Sequence, residues 1–180
     1  MKRTGTIISV LLIAVAAVAI GYWGWGRKKT EQEAMSVADA AKTTMVVVNV
    51  LDKALFDDAH IKGSIQIAED KLAEESDKWA KDTTVVFYCS NAMCTASSKA
   101  AEMLMAKGFT NVSAFEGGMA EWFQLSKTSP EYAVEGPATA EYLAMQVQKP
   151  TEEPTAPASP VKKITAVELL NLMKSANLLA

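Results

Sequence analysis

The sequence predicts an α/β fold with a central, mainly parallel sheet flanked by helices, on three observations. Two continuous apolar runs, Met45–Val50 (MVVVNV) and Thr83–Tyr88 (TTVVFY), have the composition of strands buried on both faces, as in a parallel sheet. Segments of helical character lie between these runs and after the second, an alternation that builds α/β domains. Gly63, Gly108 and the pair Gly117-Gly118 punctuate the units at short intervals, where turns are needed.

Residues 1–29 stand outside that fold. Lys2 and Arg3 precede an uncharged run, Thr4–Gly26, which Arg27, Lys28 and Lys29 close. A helix needs about 20 apolar residues to cross a bilayer, and this run exceeds that length. Tyr22, Trp23 and Trp25 sit where an interfacial aromatic belt belongs. The expectation is an N-terminal transmembrane helix serving as a single-pass membrane anchor. A cleaved signal segment is the alternative, because Ala17-Val18-Ala19 resembles a small-x-small cleavage site; the remainder would then be periplasmic or otherwise extracytoplasmic. Basic residues flank both ends, so charge asymmetry does not choose a side of the membrane.

Residues 30–34 read as a polar spacer and 35–125 as the main domain. Within it, Met35–Lys42 reads as a short helix capped by Ser36. After the strand at Met45–Val50 come a short helix, a turn at Gly63 and a brief strand at Ile65–Ile67. Lys71–Lys81 is helical in character, with Leu72 and Trp79 buried. Thr95–Lys107 reads as a helix ended by Gly108, the residue that best tolerates the left-handed position after a helix. The segment NVSAFEGGMAEW supplies a further strand, the Gly117-Gly118 turn at the domain edge, and a helix carrying Trp122. Residues 126–148 form an extension with a helix at PATAEYLAMQVQ. Residues 149–163, with Pro150, Pro154, Pro157 and Pro160, read as a linker. Residues 164–180 form an amphipathic helix with a Thr165/Glu168 capping box and Val167, Leu170 and Leu178 near one face, available to a protein partner. Its opening resembles Met35–Lys42 only weakly, too little to establish a repeat.

Composition narrows the function. Hydrophobic residues make up 49% and charged residues 22%, ordinary for a globular chain. A net charge of −3 argues against nucleic acid as a partner. With one histidine, His60, a multi-histidine metal site within one chain is excluded. His60 reads as structural, at the start of the turn before Gly63.

The chemistry concentrates in VVFYCSNAMCTASSKAAEMLMAKGF, Val85–Phe109. It holds both cysteines, Cys89 and Cys94, at a strand–helix junction. They could be a redox pair, two metal ligands, a nucleophile with a neighbour, or two buried small residues. Zinc is the weakest of these, since Cys-x4-Cys is loose spacing and no second pair exists. Turn amides and the first amides of a helix can converge on a sulfur there, and with the helix dipole they favour a thiolate or an anionic persulfide. That chemistry needs no metal and no cofactor.

At these residues the chain resembles the rhodanese-like family of sulfurtransferases. VVVNVLD, AHIKGSIQI, VVFYCSNAMCTAS and KAAEMLMAKGFTNVSAFEGGMAEW match the family's motifs in order, over Met35–Trp122, about half the chain. The resemblance implies that Cys89 accepts a sulfane sulfur from a small donor and passes it to a thiol. It implies an active-site loop of Cys89, Ser90, Asn91, Ala92, Met93, Cys94 and Thr95, with the amides after Cys89 cradling its persulfide and Ser90, Asn91 and Met93 setting donor preference. Two departures bear on activity. Cys94 stands where the family usually has arginine, which weakens the hold on an anionic donor such as thiosulfate. Asn49 and Leu51 replace the usual Asp and Arg. Cys94 could instead resolve a Cys89 persulfide or sulfenic acid by forming a disulfide. The alternatives are therefore a thiol–disulfide redox or sensor protein, or an interaction module with weakened catalysis.

Overall fold

The computed structural model describes residues 44–145 and 159–179. The expected anchor, the helix at Met35–Lys42 and the centre of the Pro-rich linker lie outside the described residues. Among the described residues no helix is long and apolar enough to cross a membrane.

Strand β1 is Met45–Asn49, helix α1 Lys53–Asp58, β2 His60–Ile61, β3 Ile65–Gln66 and helix α2 Leu72–Glu75. Strand β4 is Thr84–Tyr88, helix α3 Ala96–Ala106, β5 Val112–Phe115, helix α4 Gly118–Ser126 and β6 Val134–Glu135. Strand β7, Lys162–Lys163, and helix α5, Ala166–Ser175, complete the order. Five strands form one sheet in the order β3-β1-β4-β5-β7, with every pairing parallel. The two apolar runs become the adjacent strands β1 and β4, in register from Met45 opposite Thr84 to Asn49 opposite Tyr88. Apart from Asn49 and Thr84 both are apolar, because helices cover both faces of the sheet.

The strand period of two sorts their side chains between two cores. Val46, Val48, Val85, Phe87 and Cys89 join Leu72, Trp79, Ala100, Ala101 and Leu104 on one face. Met45, Val47, Val86 and Tyr88 join Phe115, Met119, Trp122 and the α5 residues on the other. Cys89 therefore points toward α3, and Tyr88 points away from it.

Four elements differ from the sequence expectation. The helix expected over Lys71–Lys81 is α2 plus a 3₁₀ turn at Ser76–Lys78. Trp79 takes an extended conformation there, buried and edge-on to Phe109 at 6.4 Å, and that packing draws the chain out of the helix. The helix expected in the 126–148 extension is a four-residue 3₁₀ turn, Glu141–Ala144. Asp58 fixes the chain before it by accepting from the Thr139 N–H and hydroxyl and the Ala140 N–H. The turn at His60–Ile61 is a two-residue strand paired antiparallel with β6, too short for its period to be read.

The end of the expected linker, Lys162–Lys163, is the edge strand β7 beside β5. It delivers α5 to the chain's own core. The predicted capping box forms, with Thr165 Oγ1 accepting from the Glu168 N–H and the Thr165 N–H donating to Glu168 Oε2 at 2.8 Å. The buried face is Ala166, Leu169, Leu170 and Met173, while Val167 is 58% exposed. Each large apolar side chain so buried contributes about 1.5–3 kcal/mol. The apolar face that the sequence leaves free for a partner is thus occupied by this chain's own sheet.

Candidate functional site

The sheet sets the position of the site. Strand β4 is the central strand, and Cys89 follows its last residue, where ligands bind in open α/β sheets. Cys89 is fully buried, and its Sγ faces the start of α3. Three acceptor-capable oxygens surround that sulfur. The Cys94 carbonyl lies at 3.2 Å, the Ser97 hydroxyl at 3.7 Å and the Asn91 carbonyl at 3.8 Å.

The loop from Cys89 to Cys94 folds on local bonds. Asn91 Oδ1 accepts from the Met93 N–H at 3.0 Å, and the Asn91 carbonyl accepts from the Cys94 N–H at 3.0 Å. These side-chain and backbone turns place Cys94 back against Cys89. Asn91 Nδ2 also reaches Met145 Sδ at 3.9 Å. Met93 is 80% exposed and Met145 55%, so the loop carries apolar thioethers at its surface. Ala92 and Ser90 are half-buried, and Thr95 is exposed ahead of α3 without a side-chain cap bond.

Cys89 and Cys94 are free thiols whose side chains influence each other, while the Cys89 S–H is directed at the Cys94 carbonyl at 3.2 Å. Their environments differ in sign. The bond to the Cys94 sulfur, followed by burial, pushes the Cys89 thiol far above its ordinary value. Cys94 is lowered to about 5, first by the Cys89 S–H and then, against burial, by the N–H groups of Ala96 and Ser90 and the Ser90 hydroxyl. The environment thus favours ionisation of half-buried Cys94 ahead of buried Cys89.

This corrects the expected geometry. The amides expected around Cys89 converge mainly on Cys94, and Cys89 receives only the Ser97 N–H and hydroxyl. The reason lies in the turn at Asn91, which aims the Asn91 and Cys94 carbonyls inward, where they accept from an S–H but oppose a bare thiolate.

Three supporting residues escaped the sequence reading. Ser97 lies in the first turn of α3, three residues beyond Cys94, and its hydroxyl stands 3.7 Å from Cys89 Sγ. Gly118, expected at the domain edge, instead lies against the loop. The Met119 and Ala120 N–H groups donate to the Cys89 and Ser90 carbonyls, each at 2.9 Å. Gly118 has φ +62, and a Cβ there would stand 2.7 Å from the Cys89 carbonyl oxygen and 2.8 Å from the Asn91 nitrogen. Tyr88 is the third. Its hydroxyl accepts from the Ile61 N–H at 3.1 Å and lies 2.8 Å from Ser64 Oγ, which itself donates to the Ile61 carbonyl. Tyr88 must then donate to Ser64, which closes a buried network behind the loop.

His60 belongs elsewhere. Its ring stacks on Phe56 at 3.9 Å, and its nitrogens face the Phe56 carbonyl and Glu135 at 2.8 and 3.2 Å. Among the described residues no three His, Cys, Asp or Glu side chains are grouped to hold a metal ion. Asn49 Oδ1 accepts from the Leu51 N–H, and Leu51 packs on the core where an arginine was expected.

Comparison with known proteins shows similarity over about half of the chain. Residues 31–125 match the Rhodanese-like domain family. Thiosulfate sulfurtransferase GlpE of Coxiella burnetii is 30% identical over 81 residues, which cover 45% of this chain and 74% of that protein. Among solved structures, a rhodanese-like domain from an Anabaena protein is 24% identical, covering 51% of this chain and 98% of that one, with a TM-score of 0.44. A rhodanese-related protein from Thermoplasma volcanium is 24% identical, covering 55% of this chain and 93% of that one, with a TM-score of 0.43.

Proposed function

The chain belongs to the rhodanese-like family, and from that premise we propose that it is a sulfur carrier that forms a persulfide on Cys89 and passes the sulfur to a thiol. The observation that carries this reading is the placement of Cys89 at the end of the central strand, its Sγ beside Cys94 and 3.7 Å from the Ser97 hydroxyl at the start of α3. Cys89 Sγ attacks the sulfane sulfur of a small donor, and the donor's S–S bond breaks with its electron pair on the departing group. The Cys89 proton passes to Cys94, its hydrogen-bond partner. The Ser97 N–H and hydroxyl stabilise charge on the product. An acceptor thiolate then attacks the terminal sulfur, and Cys89 leaves as a thiolate that recovers its proton from Cys94.

Donor choice follows from the loop's charge. Between Cys89 and Ser97 the loop holds no cationic side chain. A thiosulfate dianion would lack the charge-assisted bond that an arginine supplies, worth about 1.5–3 kcal/mol. Organic persulfides and polysulfides, which carry at most one charge at the sulfur chain, are the better donors. Residues 1–29 would tether the domain to a membrane, on their sequence alone.

The test is sulfur transfer from polysulfide to an excess of a small thiol by the full chain, kept in nonionic detergent. Transfer by the wild-type chain and its loss in Cys89→Ser is the expected result. A Cys89→Ser chain that transfers at the wild-type rate overturns the assignment.

A further inference from the structure

Cys94 has more to do than hold a proton. Cys89 is fully buried, so an external thiol must open the loop to reach a sulfur bound there. Cys94 is already in contact with it, inside the same loop and closed on it by the Asn91 turn. A reacting group held in contact competes strongly with one that must diffuse in. Cys94 is also partly accessible from outside, which Cys89 is not.

We propose that Cys94 is the second reacting sulfur of the site: it attacks the Cys89 persulfide and releases the carried sulfur as sulfide, leaving a Cys89–Cys94 disulfide. This rests on persulfide formation at Cys89. In the step, Cys94 Sγ bonds to Cys89 Sγ and passes its proton to the terminal sulfur. The bond between Cys89 Sγ and the terminal sulfur breaks, and its electron pair leaves with that sulfur as HS⁻. The charge is −1 before and after. The terminal sulfane sulfur is reduced by two electrons, and the two cysteines are oxidised by two. A dithiol reductant resets the site by thiol–disulfide exchange, beginning at the more accessible Cys94. The substrate class is then a persulfide or polysulfide, the product is sulfide, and the partner is a reduced dithiol, small or protein-borne.

The experiment treats the full chain, reduced and anaerobic, with polysulfide in nonionic detergent, then desalts it and takes intact and peptide masses. The wild-type chain should lose two hydrogens, retain no added sulfur, and show a Cys89–Cys94 linked peptide. An untreated anaerobic control should stay reduced. Cys94→Ser and Cys94→Ala should each retain one added sulfur on Cys89. A wild-type chain that keeps the added sulfur with Cys94 free overturns this proposal and leaves the sulfur-carrier function standing. A Cys89→Ser chain that holds the sulfur on Cys94, while the Cys94 variants hold none, overturns the order of attack. Neither added sulfur nor disulfide in any chain overturns both proposals.

Discussion

Replacing Gly118 with alanine tests whether the start of α4 holds the cysteine loop in place. Two costs can be worked from the structure. Gly118 has φ +62, a left-handed conformation that costs an L-residue about 1–2 kcal/mol. The new Cβ also meets backbone at 2.7–2.8 Å, from Cys89, Ser90 and Asn91 together. Backbone cannot rotate aside as a side-chain tip can, and overpacking of this kind costs about 1–3 kcal/mol. The sum is about 2–5 kcal/mol, a large part of the roughly 5–15 kcal/mol that holds a domain together. At roughly 3–4 °C per kcal/mol for a domain of this size, melting should fall by about 6–20 °C.

Gly108→Ala separates the two costs. Gly108 has φ +88, but nothing lies within 4 Å of a Cβ there. Only the conformational cost applies, so its melting should fall by about 3–8 °C. The loop gives a second readout. Displacing Cys89 and Ser90 lengthens their 2.9 Å bonds to Met119 and Ala120, so Gly118→Ala should also slow sulfur loading, and Gly108→Ala should not. Thermal unfolding and loading rates on the three full chains are the assay. If Gly118→Ala melts no lower than Gly108→Ala and loads at the wild-type rate, the close approach of α4 to the loop is not what positions Cys89.

Two further predictions follow from the pair and its brace. Tyr88→Phe strands the Ile61 N–H and removes the donor to Ser64, so it should cost about 1–3 kcal/mol in urea unfolding while sulfur transfer persists, because Tyr88 faces away from Cys89; a change under about 0.5 kcal/mol would show that the network carries no stability. Cys94 is a group whose folded pKa is depressed, so its thiolate is present above about pH 5 and is protonated below it; mapped iodoacetamide alkylation of Cys94 should be level from pH 6 to 8 and fall below 5, and in Cys89→Ala, which removes the S–H donor, the midpoint should rise. A wild-type midpoint near the ordinary thiol value of about 8.5 would refute the shared-proton pair.

The sheet and its core were legible because β1 and β4 are covered on both faces and are apolar at every position but Asn49 and Thr84. The cap of α5 was legible for the same reason of locality, since Thr165 and Glu168 satisfy each other three residues apart. What was not legible depends on contacts distant in sequence. Lys162 and Lys163 carry no apolar signal, yet β5 pairs with them through backbone alone. Val167 and Leu169 are both apolar, and only the seat of α5 on the sheet decides that Val167 faces water. In the site, the sequence located Cys89 and Cys94 but not their protonation. That is set by which way the Asn91 and Cys94 carbonyls turn, and by Ser90, Ala96 and Ser97 dividing their donors unequally between two sulfurs.

That division changes what the loop can be good at. In the sulfurtransferases this chain resembles, the last loop position carries a fixed cation. Here the same position carries the more readily ionised of the two thiols, so ionisation of Cys94 reverses the local charge rather than merely removing it. Opposed unit charges about 4 Å apart interact by roughly 4 kcal/mol near a protein surface, and like charges repel by as much. A dianionic donor is therefore disfavoured by the residue that replaces its anchor. The same thiolate is the nucleophile that an arginine could never be. With the exposed thioethers of Met93 and Met145 beside the loop, the surface favours soft, polarizable sulfur chains over oxyanions. Exchanging arginine for cysteine at this position would thus lower the affinity for thiosulfate and supply an internal nucleophile toward a loaded Cys89, which equips the loop for the proposed release of the sulfur as sulfide.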